Sequence, residues 1–340
     1  MKTLVIGSGA VGSVISGILA RSGFEVHIAC KTNEIAERIN TIGVVYRKRK
    51  QQLYQPVKAF GSVNQTPDNY YNYILIATKS FDIEQPTKDA LSKLKPKGLL
   101  VSLQDGYCEE HLARIAGTDK VVGAIVAWGA TFDINRMEAQ ITSSGEMIIG
   151  KLDGSDDPRL DNLQYMLNFV APTRVVDNIN AHIYSKLIIN SCVTTLGAIT
   201  GLNVGALIIN NKLRKTFLQI INETVVVANR LKIEIPDYAE KLNYYKLIQG
   251  KTIYHRVRKH LYIFVFGFKY RKVKSSGLQS IERGEKTEID YLNGYIVKRG
   301  REMGIELPVN ERLVEIVHEI ENGQRKVNPQ NLNEPLFGVK

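Results

Sequence analysis

Short apolar runs and amphipathic stretches alternate through the first half of the chain. "TLVIG" (3–7), "EVHIAC" (25–30), "YILIAT" (73–78), "LLVSL" (99–103) and "VVGAIVAW" (121–128) have strand length and few polar residues, the pattern of strands buried on both faces. Between them, Gly9–Ser22 and Phe81–Leu94 are amphipathic and predict helices. Such alternation predicts a mainly parallel sheet covered by helices, an α/β domain. After Trp128 the texture changes, and "AQITSS" (139–144) with "EMIIG" (146–150) predicts a terminal antiparallel pair.

From about Asn178 onward helical periodicity takes over. The stretches 182–200, 213–232 and 287–304 all carry apolar residues at three- and four-residue spacing. The boundary is placed near Asp177, giving an α/β domain over 1–177 and an all-α domain over 178–340. The tail from Asn328 reads as irregular surface. Within the first of these helices, "YSKLIINSC" (184–192) places Lys186 and Asn190 one turn apart on one face of an otherwise apolar run.

Composition changes this picture little. A chain of 340 residues has room for two cores. The formal charge of +11 is local: eight Lys or Arg and no acid lie between Lys251 and Lys274, and the rest of the chain carries +3. Cys30, Cys108 and Cys192 are odd in number, far apart and without metal-type spacing, which points to reduced thiols in the cytoplasm. The N-terminal run superficially resembles a signal peptide, but its spaced glycines fit a strand, turn and helix better. No segment reaches the ~18 consecutive apolar residues of a membrane span.

The first chemistry lies in Gly7-Ser8-Gly9-Ala10-Val11-Gly12, a G-x-G-x-x-G string between a strand and a helix. Gly7 permits the turn, Gly9 lets the backbone approach a pyrophosphate, and Gly12 lets helix and strand pack closely, as in a Rossmann-type dinucleotide site. The free N–H groups of the helix start then meet the phosphates. The second strand ends in Cys30-Lys31-Thr32, without the acid that would hold the ribose of NAD. Lys31 and Thr32 suit a 2′-phosphate and favour NADP, while Glu34 keeps NAD open.

A second chemistry is suggested by Lys186. Hydride transfer to a ketone puts negative charge on the carbonyl oxygen, and a cation there can stabilise it and donate a proton. A lysine on an apolar helix face suits that task, since desolvation draws an ammonium's pKa toward working pH. The bland alternative is a lysine that snorkels to solvent. Asn190 could orient a substrate oxygen.

Taken together the chain resembles the ketopantoate reductases, the NADP-dependent 2-dehydropantoate 2-reductases, over nearly its whole length. The resemblance rests on the glycine-rich start, "ATKSFD" (77–82), "LQDGYC" (103–108), "YSKLIINSC", and "SSGLQSIERGEKTEIDYLNG" (275–294) followed by "GIELPVN" (304–310). It implies that Thr78, Lys79, Gln104, Asp105 and Glu288 lie near NADPH. It also implies that Lys186 is the catalytic lysine with Glu288 its acidic partner, that Asn190 binds substrate, and that Ser276 holds the substrate carboxylate. The implied reaction is reduction of ketopantoate to pantoate, as in pantothenate and coenzyme A biosynthesis.

Several positions depart from that pattern. Asp105 stands for the family's asparagine beside nicotinamide and substrate, Thr194 for another substrate-binding asparagine, and a third such position falls on Val204, or on Asn203 if the register slips by one. Ser280 replaces an aspartate. An ionised Asp105 would repel a 2-oxo acid carboxylate unless protonated or paired with Lys79. A paralogue acting on another 2-oxo acid or ketone therefore stays open. So does a nucleotide-binding regulatory or membrane-associated protein with a weakened site.

The basic, aromatic stretch 251–274 admits four readings: a helix covering the active site, an attractor of anionic substrate, a membrane-surface contact, or a nucleic-acid contact. "RKRK" (47–50) reads as a solvated hairpin tip. The expected partner is a small 2-oxo acid, with no nucleic acid and no membrane span, and a homodimer stays open.

Overall fold

The computed structural model of the chain describes residues 1–238, 241–250, 252–268, 271 and 273–338. Four residues of the basic stretch, Lys251, Lys269, Tyr270 and Lys272, lie outside the described residues. The chain divides into two compact units. The first comprises Met1–Gln104 and Cys108–Asn180, the second Asp105–Tyr107 and Ala181–Lys340.

The first unit holds twelve strands: β1 (Lys2–Ile6), β2 (Glu25–Ala29), β3 (Val44–Lys48), β4 (Gln51–Gln55), β5 (Lys58–Phe60), β6 (Tyr71–Ile76), β7 (Leu94–Ser102), β8 (Val121–Val126), β9 (Gly129–Asp133), β10 (Glu138–Ser143), β11 (Met147–Lys151) and β12 (Thr173–Val175). Its helices are α1 (Ala10–Arg21), α2 (Asn33–Ile42), α3 (Glu84–Leu91), α4 (Glu109–Ala116) and α5 (Arg159–Leu167). Eight strands form one sheet in the order β12-β11-β8-β7-β6-β1-β2-β5, parallel except for the β8–β11 pair. The order reverses between β1 and β6, and an open parallel sheet binds ligands outside the carboxyl ends of its strands at such a point. The apolar side chains of β1, β6, β7 and β8 are buried here, as expected of strands with helices on both faces, while Glu25 and His27 of β2 keep some exposure.

A smaller sheet, β4-β3-β10-β9, covers α1. Its β3–β4 hairpin has Arg49 and Lys50 at the tip, so half of the "RKRK" string is the exposed turn. The expected antiparallel pairing of 139–144 with 146–150 is overturned. β10 pairs with β3 and β9 in the small sheet, while β11 pairs with β8 and β12 in the large one. The switch occurs at Gly145, where a Cβ would lie 2.1 Å from the Ala127 carbonyl oxygen. A turn that tight carries the chain between sheets, and local alternation cannot report which sheet a strand joins.

The second unit is helical: α6 (Ile179–Thr200, whose first two residues belong to the first unit), α7 (Val204–Ile209), α8 (Asn211–Arg230), α9 (Tyr244–Ile248), α10 (Ile253–Phe268), α11 (Ser276–Glu282), α12 (Asn293–Glu302) and α13 (Pro308–Glu321). Two expectations are corrected. The stretch from Thr287 becomes an α-helix only at Asn293, after a single 3₁₀ turn over Ile289–Tyr291. The tail over 328–338 is docked, because Leu332 and Phe337 are buried and Glu334 forms an ion pair with Arg312. No described helix is long and apolar enough to cross a membrane.

Candidate functional site

In the first unit, β1 runs into Gly7, whose φ of +107° is one that side-chain-bearing residues rarely adopt. The three motif glycines differ in their surroundings. A Cβ on Gly7 would lie 2.8 Å from the Ala77 carbonyl oxygen, and one on Gly12 only 1.9 Å from that of Gly7. Around Gly9 there is nothing within 4 Å of such an atom. Two glycines are thus required by the protein's own packing, while the third faces open space at the N-cap of α1. Gly9 has no side chain with which to cap the helix, so the N–H groups of the first turn are open to an anionic group. Ser8, Ala10 and Val11 are half-buried around this turn.

Neighbouring strand ends add side chains. Beyond β2, burial pushes the Cys30 thiol up to about 11, so an uncharged group stands where an acid would contact a ribose. Lys31 is exposed. Thr32 caps α2 by accepting from Ile35 N at 3.4 Å, and its hydrogen bond holds the fully exposed Glu34 carboxyl below its usual range. Beyond β6 lie Thr78 and Lys79, and beyond β7 lies Gln104. The Gln104 amide nitrogen donates to Thr78 Oγ1 at 3.1 Å and to the Lys79 carbonyl at 3.0 Å. Its buried Oε1 has no partner among the described residues. An unsatisfied buried acceptor is uncommon, and a donor on a bound dinucleotide would satisfy it. The residues present therefore fit a nicotinamide dinucleotide.

Asp105, adjacent to Gln104 in sequence, belongs to the second unit. Tyr107 N donates to the Tyr291 carbonyl at 3.2 Å, and the Tyr107 ring stacks on Tyr295 with centroids 4.7 Å apart. These contacts hold the loop beside α6. Lys186 Nζ lies 2.8 Å from Asp105 Oδ1, and Asn190 Nδ2 donates to the same oxygen at 3.2 Å. The side chains of Lys186 and Asp105 keep 16% and 30% of their surface exposed, so the pair is restrained yet reachable. Thr194, one turn beyond Asn190, faces the Ser276 hydroxyl at 3.4 Å. Lys186, Asn190 and Thr194 form one row along α6, with Asp105 beside the first two and Ser276 beside the last.

The remaining expected residues are placed differently. Glu288 is buried at the start of the 3₁₀ turn. Asn203 is exposed and caps α7, with Oδ1 accepting from Ala206 N at 2.9 Å, a structural task that accounts for it without any ligand. Ser280 is buried, and its hydroxyl has no partner.

Asn293 and Asn310 carry no sequence signal of a task, yet both are fully buried. Thr195 donates to Asn293 Oδ1 at 2.6 Å, and Asn293 Nδ2 donates to the Ser191 carbonyl at 3.2 Å and to Asn310 Oδ1 at 2.9 Å. Asn310 Nδ2 donates to Glu223 Oε2 at 2.6 Å. That carboxylate also accepts from the backbone N–H groups of Val309 and Asn310, capping α13 from α8. Desolvation raises the Glu223 carboxyl, opposed by these hydrogen bonds. The chain of contacts braces α6 one residue away from the Lys186 row. Fully satisfied buried networks of this kind hold elements in one arrangement.

Comparison with known proteins fits this arrangement. The model described as ketopantoate reductase PanE/ApbA matches residues 3–154, and the one for its C-terminal part matches residues 178–321. The 2-dehydropantoate 2-reductase of Aquifex aeolicus is 29% identical over 325 residues, covering 93% of this chain and 96% of that protein. The one from Pyrococcus abyssi is 26% identical, covering 91% and 94%. A crystal structure of a PanE/ApbA family ketopantoate reductase from Ralstonia eutropha JMP134 superposes with a TM-score of 0.80 at 25% identity, covering 95% of this chain and 99% of that one. D-mandelate dehydrogenase in its ternary structure with NADH and anilino(oxo)acetate shares the fold, with a TM-score of 0.83 at 22% identity and coverage of 95% and 99%. With both parts of one family matched in order, and its mainly parallel sheet followed by helices, the chain belongs to the ketopantoate reductase family, a family of oxidoreductases.

Proposed function

We propose that the protein reduces a 2-oxo acid to the 2-hydroxy acid with NADPH, its first candidate substrate being the 2-dehydropantoate named for its relatives. The observation that carries this reading is the Lys186 ammonium, held 2.8 Å from Asp105 with Asn190 on the same oxygen. Bound nicotinamide supplies the hydride. Lys186 stabilises the charge that develops on the carbonyl oxygen and donates the proton. Asp105 holds the ammonium in position, Asn190 orients a substrate oxygen, and Glu288 supports Lys186. The Ser276 hydroxyl, beside Thr194, takes the carboxylate. Gly7–Gly12, Thr78, Lys79 and Gln104 hold the dinucleotide, with Lys31 on the 2′-phosphate. NADH is the second reading of the cofactor, as it is bound in the D-mandelate dehydrogenase structure. Cys30, Cys108 and Cys192 are buried and form no disulfide, which supports a reducing compartment, the cytoplasm in this reading.

Asp105 also supports a second reading of the substrate. A carboxylate beside the proton donor, where the resemblance expects a neutral asparagine, opposes an approaching 2-oxo acid carboxylate to the extent that Lys186 does not neutralise it. Steady-state turnover of wild type and Asp105→Asn with NADPH and a panel of 2-oxo acids separates the readings. If ketopantoate is the substrate, it has the highest kcat/KM of the panel for the wild type. A different leading acid selects the second reading, and no turnover of any 2-oxo acid overturns both.

A further inference from the structure

The exposed face of α10 has no role in the reading above. Its inner face is seated within its own unit: Ile263 is buried, and a Cβ on Gly267 would lie 2.8 Å from the side chain of Ile208 on α7. Arg214 Nε on α8 donates to His260 Nδ1 at 3.2 Å. The helix is therefore fixed in rotation. Its outward face carries Tyr254, Val257, Leu261, Phe264, Val265 and Phe268, with Tyr254 exposed by 69% and Leu261 by 59%. The spacing 254, 257, 261, 264, 268 places these residues in a continuous ridge along the helix. A contiguous exposed apolar ridge of this kind marks an interaction surface.

Charge decides what covers it. Eight Lys or Arg and no Asp or Glu occur from Lys251 to Lys274. Arg258 and Arg271 are exposed, and the Arg271 guanidinium lies 4.2 Å from the Phe268 ring centroid. A second copy of the helix would set this basic face against itself, without the acidic flanking residues that pair helices across a seam. An anionic lipid surface accepts both features, since the apolar ridge enters the acyl boundary while the cations meet the headgroups. The length and hydropathy of α10 do not allow it to span a bilayer.

We propose that α10 is a peripheral membrane contact that lays its ridge, Tyr254 to Phe268, into an anionic lipid surface. Co-sedimentation of the full chain with phosphatidylcholine vesicles, with and without phosphatidylglycerol, tests it. Partition is expected only with phosphatidylglycerol, weakening as salt is raised. The triple variant Leu261→Gln, Phe264→Gln, Val265→Gln should lower partition about tenfold or more, with an unchanged melting temperature. Arg258→Gln with Arg271→Gln should weaken it while leaving every apolar side chain of the ridge in place. Absence of partition, equal partition to neutral vesicles, or no effect of either variant overturns the proposal. So does a dimer that the ridge variant dissociates without any vesicle binding, or binding to single-stranded RNA in place of vesicles.

Discussion

The glycine-rich turn of the first unit and the Lys186 row of the second are built on opposite plans. At the turn, what is built is backbone shape: Gly7 and Gly12 matter for the atoms they lack, because a Cβ would strike a carbonyl oxygen in each case. Along α6, what is built is a row of side chains: Lys186 and Asn190 share one carboxylate oxygen, and Thr194 faces Ser276. Adding an atom should therefore damage the first region, and removing atoms should damage the second.

The sharpest break in that contrast is Lys186→Ala. Turnover should fall about 10³-fold, in the range of a lost general acid, while NADPH binding followed by fluorescence stays near that of the wild type. Loss of nucleotide binding together with turnover would remove the separation of roles. Next come the paired variants Gly12→Ala and Gly9→Ala. The first should cost about 2–4 kcal/mol in stability through overpacking against backbone. The second should leave denaturant unfolding unchanged and weaken NADPH binding, since its Cβ meets no protein atom. Equal melting of both would refute the assignment of a structural and an open glycine.

Asn293→Ala tests whether the brace belongs to the side-chain plan. It removes contacts to Thr195, Ser191 and Asn310, and unfolding should show a loss of about 2–3 kcal/mol. Any fall in kcat at temperatures where the variant is fully folded would come from a displaced α6. The smallest effect is expected for Lys31→Ala, which should lower the preference for NADPH over NADH about tenfold, with folding unaffected because the side chain is exposed. An unchanged ratio of kcat/KM for the two cofactors would take Lys31 out of the site.

The two regions were not equally legible. The glycine motif is local: its spacing, the strand before it and the helix after it lie within about twenty residues, so its geometry followed from the string. The Lys186 row was legible only in part. Its four-residue spacing placed Lys186 and Asn190 on one face and the resemblance alone pointed to Thr194, but the carboxylate beside Lys186 lies 81 positions away in a loop that belongs to the helical unit. Asn293 and Asn310 were visible as letters in specific strings without any sign that they bond to one another. Asn203 entered through register alone, and its helix cap, formed with Ala206 N three residues on, was not read from the string.

The sequence by itself determined the elements and their burial: the parallel apolar strands, the helical second half, the tight glycine turn and the face of α6 that carries a cation. These follow from periodicity and from φ, which are properties of neighbouring residues. Tertiary structure alone decided which sheet β10 and β11 join, that the tail is docked, which carboxylate meets Lys186, and that the α10 ridge faces outward. Each of these is a choice of partner, and periodicity records that a face is covered or polar without recording what lies against it.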